Sequence, residues 1–298
     1  MAKRIRSSLL LILATVIWGS AFVSQSIGMD HIGPFTFQAV RCGLAVIALL
    51  PLILISDRFQ PGGGCFFTRW KDKKLWKAGL LCGVPLFLAT NLQQLGLVDT
   101  DAGKSAFLTA MYIVIVPIIG IFRKKKPGKL IPVSVGLAVL GLYFLSCVGV
   151  TTVSTGDLLL LGCALMFAVQ ITFVDKYAQD IDALRLNCLQ SLVCTVLSSA
   201  AMLLTEQPTW SGIQACWLPL VHVGVFSMGI AYSLQIIGQK DLEPSTASLI
   251  MSMESVFALL FSWLILKERM TSWETLGCIL VFASVILSQI PSNKKRAC

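Results

Sequence analysis

Ten apolar stretches, each near the roughly 20 residues an α-helix needs to cross the hydrocarbon core of a bilayer, constrain this 298-residue chain more than any other feature. They lie at residues 8–27, 35–55, 78–98, 105–122, 130–148, 157–174, 184–204, 217–237, 245–266 and 272–290. In lipid every backbone N–H and C=O must be bonded within the protein, and a helix does so segment by segment. The expected class is therefore an all-α integral membrane protein with ten transmembrane helices. Composition agrees: 56% of residues are apolar, 13% are charged and the mean hydropathy is +0.80, outside the range of soluble domains. The first stretch follows Lys3, Arg4 and Arg6 as a secretory signal would. Its apolar run is long for a signal and no small-residue cleavage site follows, so it is kept as a helix.

A segment occurs twice. Residues 92–122 (LQQLGLVDTDAGKSAFLTAMYIVIVPIIGIF) and 234–264 (LQIIGQKDLEPSTASLIMSMESVFALLFSWL) superimpose without a gap at an offset of 142. Leu92, Gln93, Gly96, Asp99 and Met111 fall on Leu234, Gln235, Gly238, Asp241 and Met253. Aligning Phe35 with Leu184 places Arg41 over Gln190 as well. A chain of this length with such a register reads as two copies of one half, residues 1–150 and 151–298. Five helices per half is an odd number, so the halves insert with opposite orientation, an inverted repeat recurrent among secondary transporters.

The +9 net charge does not point to nucleic acid, because the Lys and Arg residues form short clusters between apolar stretches. With the N-terminus inside, twenty of the 24 fall in inner segments, three (Lys104, Lys267, Arg269) in outer loops, and Arg41 within a span. Cytoplasmic loops carry such an excess, so both termini are expected in the cytoplasm of a plasma membrane, the inner membrane of a bacterium. The longest loop, residues 56–77, contains PGGG and a basic stretch with Phe66, Phe67, Trp70 and Trp76, and reads as a cytoplasmic anchor. Seven of the ten cysteines (Cys42, Cys82, Cys147, Cys163, Cys188, Cys194, Cys278) lie in apolar stretches as small packing residues. No CxxC pair or Cys/His cluster signals a metal or a disulfide framework.

Polar side chains at membrane depth are costly, and they point to function. Arg41 lies about two turns into the second span, where it must snorkel, pair with a carboxylate or face a cavity. Glu254, near the middle of the ninth span, is the deepest carboxylate. It reads either as a site for a coupled proton or as a structural ion pair or neutral hydrogen-bonded carboxyl. Asn91 and Gln94 share a face of the third span, with Gln93 offset from it. Such amides touch substrate or bond neighbouring helices. Gln170, Gln190, Tyr232 and Gln235 repeat the pattern in the second half. Trp18, Gly19 and Ser20 sit mid-span, too deep for an interfacial tryptophan. Thr109 and Tyr112 lie on the fourth span, with Pro117 expected to break its hydrogen-bond ladder.

With Trp18-Gly19-Ser20, Arg41, FLTAMYIVIVP at 107–117 and SMESVFALLFSWLILKE at 252–268, the chain resembles the EamA-type members of the drug/metabolite transporter superfamily over nearly its whole length. The family's aromatic-Gly-Ser pattern matches Trp18 to Ser20, its second-helix arginine Arg41, its fourth-helix Tyr and Pro Tyr112 and Pro117, and its ninth-helix Glu Glu254. Its closing Glu matches Glu268, for which a structural role is expected. Ser255 stands where the family often has a proline after the glutamate, which leaves the associated kink without its usual residue. The resemblance implies a secondary carrier, commonly an exporter of amino acids or other small metabolites.

The expected function is alternating-access transport of a small molecule, with protons as a candidate coupling ion and no cofactor, metal or nucleic acid. The expected lining is Trp18, Arg41, Asn91, Gln94, Tyr112, Gln170, Tyr232 and Glu254. An Arg and a Glu together suit a zwitterion such as an amino acid, whereas amides and aromatics also suit a multidrug or other metabolite facilitator. An integral membrane enzyme is the rival of another class. It would need converging catalytic groups, yet the two histidines, His31 and His222, lie near the outer face and no HExxH motif occurs.

Overall fold

The structure is a computed structural model that describes residues 2–59, 69–100, 102–124, 128–146, 154–266 and 271–290. The PGGG stretch with Phe66 and Phe67, Cys147, residues 147–148 of the expected fifth span, Lys267, Arg269 and Glu268 lie outside these residues. Every regular element described is helical. In chain order the passes are Ala2–Met29, Pro34–Phe59, Lys73–Asp99, Ala102–Ala110 with Tyr112–Phe122, Ile131–Ser146, Thr155–Tyr177, Ala183–Thr205, Trp217–Val221 through Tyr232–Gln239, Pro244–Met251 with Met253–Leu266, and Ser272–Gln289. They are called first to tenth below. Among the described residues nine helices are long and apolar enough to cross a membrane; the fifth, Ile131–Leu145 as an apolar run, is shorter.

Local sequence explains the ends. Asp72 caps the third helix, Ser154 and Asp157 form a reciprocal capping box on the sixth, and Thr271 and Glu274 do the same on the tenth. The fourth helix is interrupted at Met111 and the ninth at Ser252. Tight bonds close both breaks, Val114 N–H to Met111 O at 3.0 Å and Ser255 N–H to Ser252 O at 3.2 Å. Pro117 lies inside Tyr112–Phe122, so the interruption falls six residues before it. A proline ring crowds the carbonyl four residues back, which displaces the ladder N-terminal to itself. The ninth helix breaks at a matching level with Ser255 and no proline, so the break does not depend on that residue. The eighth pass runs as a π-helix over His222–Ala231, a feature with no counterpart in the sequence expectations.

Packing follows a pattern that survives exchanging the first five passes for the last five. The third helix packs on the sixth and the eighth on the first; the third on the seventh and the eighth on the second; the fourth on the sixth and the ninth on the first. The second pairs with the seventh and the fifth with the tenth. Two carboxylates show the correspondence in detail. Glu206, ending the seventh helix, accepts from Phe35 N–H at 2.9 Å, Thr36 N–H at 2.8 Å and Thr36 Oγ1 at 2.6 Å. Asp57, ending the second, accepts from Arg185 Nη2 at 2.5 Å. Each acid thus sits at the start of the other helix, where the N-terminal dipole favours negative charge. The alignment of Phe35 with Leu184 also superimposes Asp57 on Glu206 and Thr36 on Arg185.

The glycines at the repeated position mark close approaches between helices. A Cβ at Gly96 would lie 2.6 Å from Leu160 Cγ and 3.1 Å from Gly156 O; one at Gly238 would lie 2.9 Å from Leu11 Cγ and 3.0 Å from Ser7 O. Small residues permit such helix contacts in a membrane. Gly96→Val and Gly238→Val should therefore each destabilise the folded protein by roughly 1–3 kcal/mol through overpacking. Gly136→Val, where nothing lies within 4 Å of the added carbon, should leave thermal unfolding in detergent unchanged.

Candidate functional site: a central polar cavity

Seven helices line one cavity. The first helix contributes Trp18, Phe22 and Gln25, whose spacing puts them on one face. The second adds Arg41, the third Gln93 and the sixth Phe167 and Ile171. Ser227, Met228, Tyr232 and Gln235 come from the eighth. Tyr112 and Met251 with Glu254 enter beside the breaks of the fourth and ninth helices. The space is narrow, about 40 Å³, enough for about three water molecules.

Its floor is a pair of residues from matching positions. Tyr112 Oη donates to Glu254 Oε1 at 3.2 Å, and the two stand 142 residues apart, the offset of the repeat. Two ring pairs flank it: Trp18 meets Tyr232 edge-on at 5.1 Å, and Tyr112 meets Phe167 edge-on at 6.4 Å. Ser255 Oγ donates to Ala106 O at 3.2 Å and so ties the ninth helix to the fourth beside this floor.

Arg41 is 2% exposed. Its Nη1 donates to Gln25 Oε1 at 2.5 Å, and its guanidinium carbon lies 5.7 Å from the Phe37 ring centre. Among the described residues no carboxylate lies within ion-pairing distance of it, Glu254 included, and its Nε has no partner. Trp18 Nε1 is likewise buried without an acceptor. A guanidinium carries five donors and cannot be discharged, so an anion accepting from it would relieve a substantial cost. The cavity lining therefore includes the donor groups of Arg41 and Trp18 and the carboxyl of Glu254.

Behind the cavity runs a chain of amides. Gln235 Nε2 donates to Gln170 Oε1 at 3.2 Å, Gln170 Nε2 to Gln190 Oε1 at 3.3 Å, and Gln190 Nε2 to Asn187 Oδ1 at 2.9 Å. Asn187 Nδ2 ends the chain on Met228 O at 2.9 Å and Gly229 O at 2.8 Å, within the π-helix.

Of the eight residues expected from sequence, Trp18, Arg41, Tyr112, Tyr232 and Glu254 come together at the cavity. The other three do not border it. Asn91 donates to Phe87 O at 2.8 Å and Ser198 Oγ at 3.0 Å, joining the third helix to the seventh. Gln94 is fully buried, with neither amide atom partnered among the described residues. Gln170 stands behind Gln235 as a link in the amide chain. Gln25, Gln93, Phe167 and Gln235 are lining residues absent from that expectation. A usable signal existed for three of them: Gln93 and Gln235 coincide at the repeat offset, and Gln25 lies two turns above Trp18 on its face. His222, expected away from any site, lies between Ser20 Oγ at 3.3 Å and Ser24 Oγ at 2.9 Å on the first helix. Among the described residues no three His, Cys, Asp or Glu side chains converge as a metal site would require.

Known proteins share this architecture. The model of the EamA-like transporter family matches residues 5–147 and 154–289. An "Uncharacterized transporter" of Archaeoglobus fulgidus is 32% identical over 293 residues, covering 96% of this chain and 86% of that protein. The "Uncharacterized transporter YoaV" of Bacillus subtilis is 24% identical, covering 96% and 97%. A protein of known crystal structure superimposes with a TM-score of 0.77 at 16% identity, covering 96% of this chain and 97% of that one, which is likeness of fold alone. A helical multi-pass chain whose two segments both match the family model belongs to the EamA-like transporter family.

Proposed function

We propose that the protein is a secondary carrier that exports small zwitterionic metabolites, amino acids foremost, across the plasma membrane. The observation that carries this reading is Arg41, a buried guanidinium bordering the shared cavity without a carboxylate partner among the described residues. A substrate carboxylate supplies the missing anion, and a substrate ammonium lies toward Glu254 and Tyr112. Outward transport rests on the likeness to the family. Both termini face the cytoplasm, where the Lys and Arg residues concentrate.

The halves are residues 1–150 and 151–298, inserted with opposite orientation. The family match in two segments and the exchange-symmetric packing support this division. The cavity is narrow, so the helices around it must move apart to admit a substrate. Substrate enters when the halves part on one side and leaves when they part on the other. The breaks at Met111 and Ser252 let half of a helix move while the rest stays packed. Glu254 carries the coupling proton, exchanging its Tyr112 hydrogen bond for substrate.

Two measurements test this in proteoliposomes loaded with a labelled amino-acid panel. Arg41→Ala should raise the half-saturating concentration by roughly ten- to a hundredfold, as expected for a lost charged hydrogen-bond donor. Arg41→Lys should recover only part of it, since an ammonium lacks the planar fork. Normal flux in folded Arg41→Ala protein would overturn the assignment. Glu254→Gln should abolish the response of flux to an imposed pH gradient while leaving substrate exchange. An undiminished gradient response would remove Glu254 from coupling.

A further inference from the structure

We infer that the π-helical stretch of the eighth pass dictates which end of the Gln235 amide meets the cavity, making Gln235 a specificity contact that requires a hydrogen-bond donor on the substrate. The inference rests on the carrier reading above and extends it to the substrate's amino group.

The argument starts at the backbone. In a π-helix the N–H bonds five residues back, as Tyr232 N–H does to Ser227 O. Within that stretch Met228 O and Gly229 O accept from Asn187 Nδ2, and Gly229 O also accepts from Ser233 Oγ at 2.7 Å. A carbonyl oxygen only accepts, so the Asn187 end that faces them must be its NH₂. Its Oδ1 then faces Gln190, which must present NH₂; Gln190 Oε1 in turn requires NH₂ from Gln170, and Gln170 Oε1 requires NH₂ from Gln235. Reversing any one amide would set oxygen against oxygen on one side and NH₂ against NH₂ on the other. Reversing all of them would set Asn187 Oδ1 against two backbone carbonyls.

The direction of the chain is therefore fixed by backbone chemistry, independently of how any single amide is drawn. What it leaves at the cavity is Gln235 Oε1. This atom is buried and has no partner among the described residues, and the side chain, 2% exposed, borders the cavity. A buried acceptor without a donor discriminates against any ligand unable to donate to it. Arg41 and Trp18 Nε1 are donors, so the acceptor selects the opposite end of a substrate. A primary ammonium meets that requirement; a desamino carboxylate of the same size does not.

The test compares matched pairs in competition with labelled substrate and in ligand-dependent thermal stabilisation of detergent-solubilised protein: leucine with 4-methylpentanoate, phenylalanine with 3-phenylpropanoate, and serine with 3-hydroxypropanoate. In the unaltered protein the amino member of the recognised pair should act at about tenfold lower concentration or less, a 1.4 kcal/mol preference. Gln235→Met, similar in length and without the amide, should reduce that ratio to about threefold or below by weakening the amino member alone. Gln170→Met frees Gln235 to turn and should also lower the ratio, which keeps the test available if Gln235→Met does not fold. A ratio unchanged in folded Gln235→Met or Gln170→Met protein overturns the inference, as does an unaltered protein that binds both members of a pair equally. Binding of no pair by the unaltered protein overturns the inference together with the amino-acid reading. Unchanged binding in Arg41→Ala with a ratio that still collapses in Gln235→Met removes the Arg41 contact and leaves the Gln235 contact standing.

Discussion

A bilayer supplies no water to a stranded polar group, and this constraint orders the whole molecule. Backbone groups are satisfied by helices, so the chain has little freedom except in how the helices meet. Side-chain groups have two options, a partner on a neighbouring helix or a shared interior. Asn187, Gln190 and Gln170 take the first, each bonded to the next. Arg41, Glu254 and Tyr112 take the second. The cavity collects part of what such pairing leaves over; Gln94, buried and unpartnered among the described residues, lies outside it.

Magnitudes separate the two groups. A neutral hydrogen bond between amides contributes about 1 kcal/mol net, and in membrane interiors interhelical bonds average about 0.6 kcal/mol. The amide chain therefore adds little stability; its effect is to hold orientation. A buried guanidinium with one good bond is a larger matter, since an uncompensated charge costs several kcal/mol. Packing between helices must offset that cost, and the close contacts at Gly96 and Gly238, with the acid-to-helix-start contacts of Asp57 and Glu206, are among those that join the helices.

Legibility in the sequence followed cost. The apolar stretches foretold helices at nearly every position, since a run of twenty apolar residues has few other uses. Trp18, Arg41, Tyr112, Tyr232 and Glu254 were readable because an aromatic or charged group at mid-membrane is expensive wherever it points. Asn91, Gln94 and Gln170 lie away from the cavity, and the sequence could not set them apart because an amide costs the same whether it faces a cavity or a neighbouring helix; the composition of a span does not report direction. The π-helix over His222–Ala231 was invisible, because a ladder one residue longer has no residue signature. Pro117 marked the correct helix but not the level of its break, which the ninth helix shares with no proline after its own break.

The narrowness of the cavity also bears on the cell's electrical state. A membrane that stores energy as a voltage cannot contain an open aqueous path, since each elementary charge crossing 100 mV dissipates about 2.3 kcal/mol. A narrow space walled by Trp18, Phe22, Phe167 and Met251 has room for only a few waters. The side chains that shape the cavity are therefore also the ones that restrict ion leakage beside it.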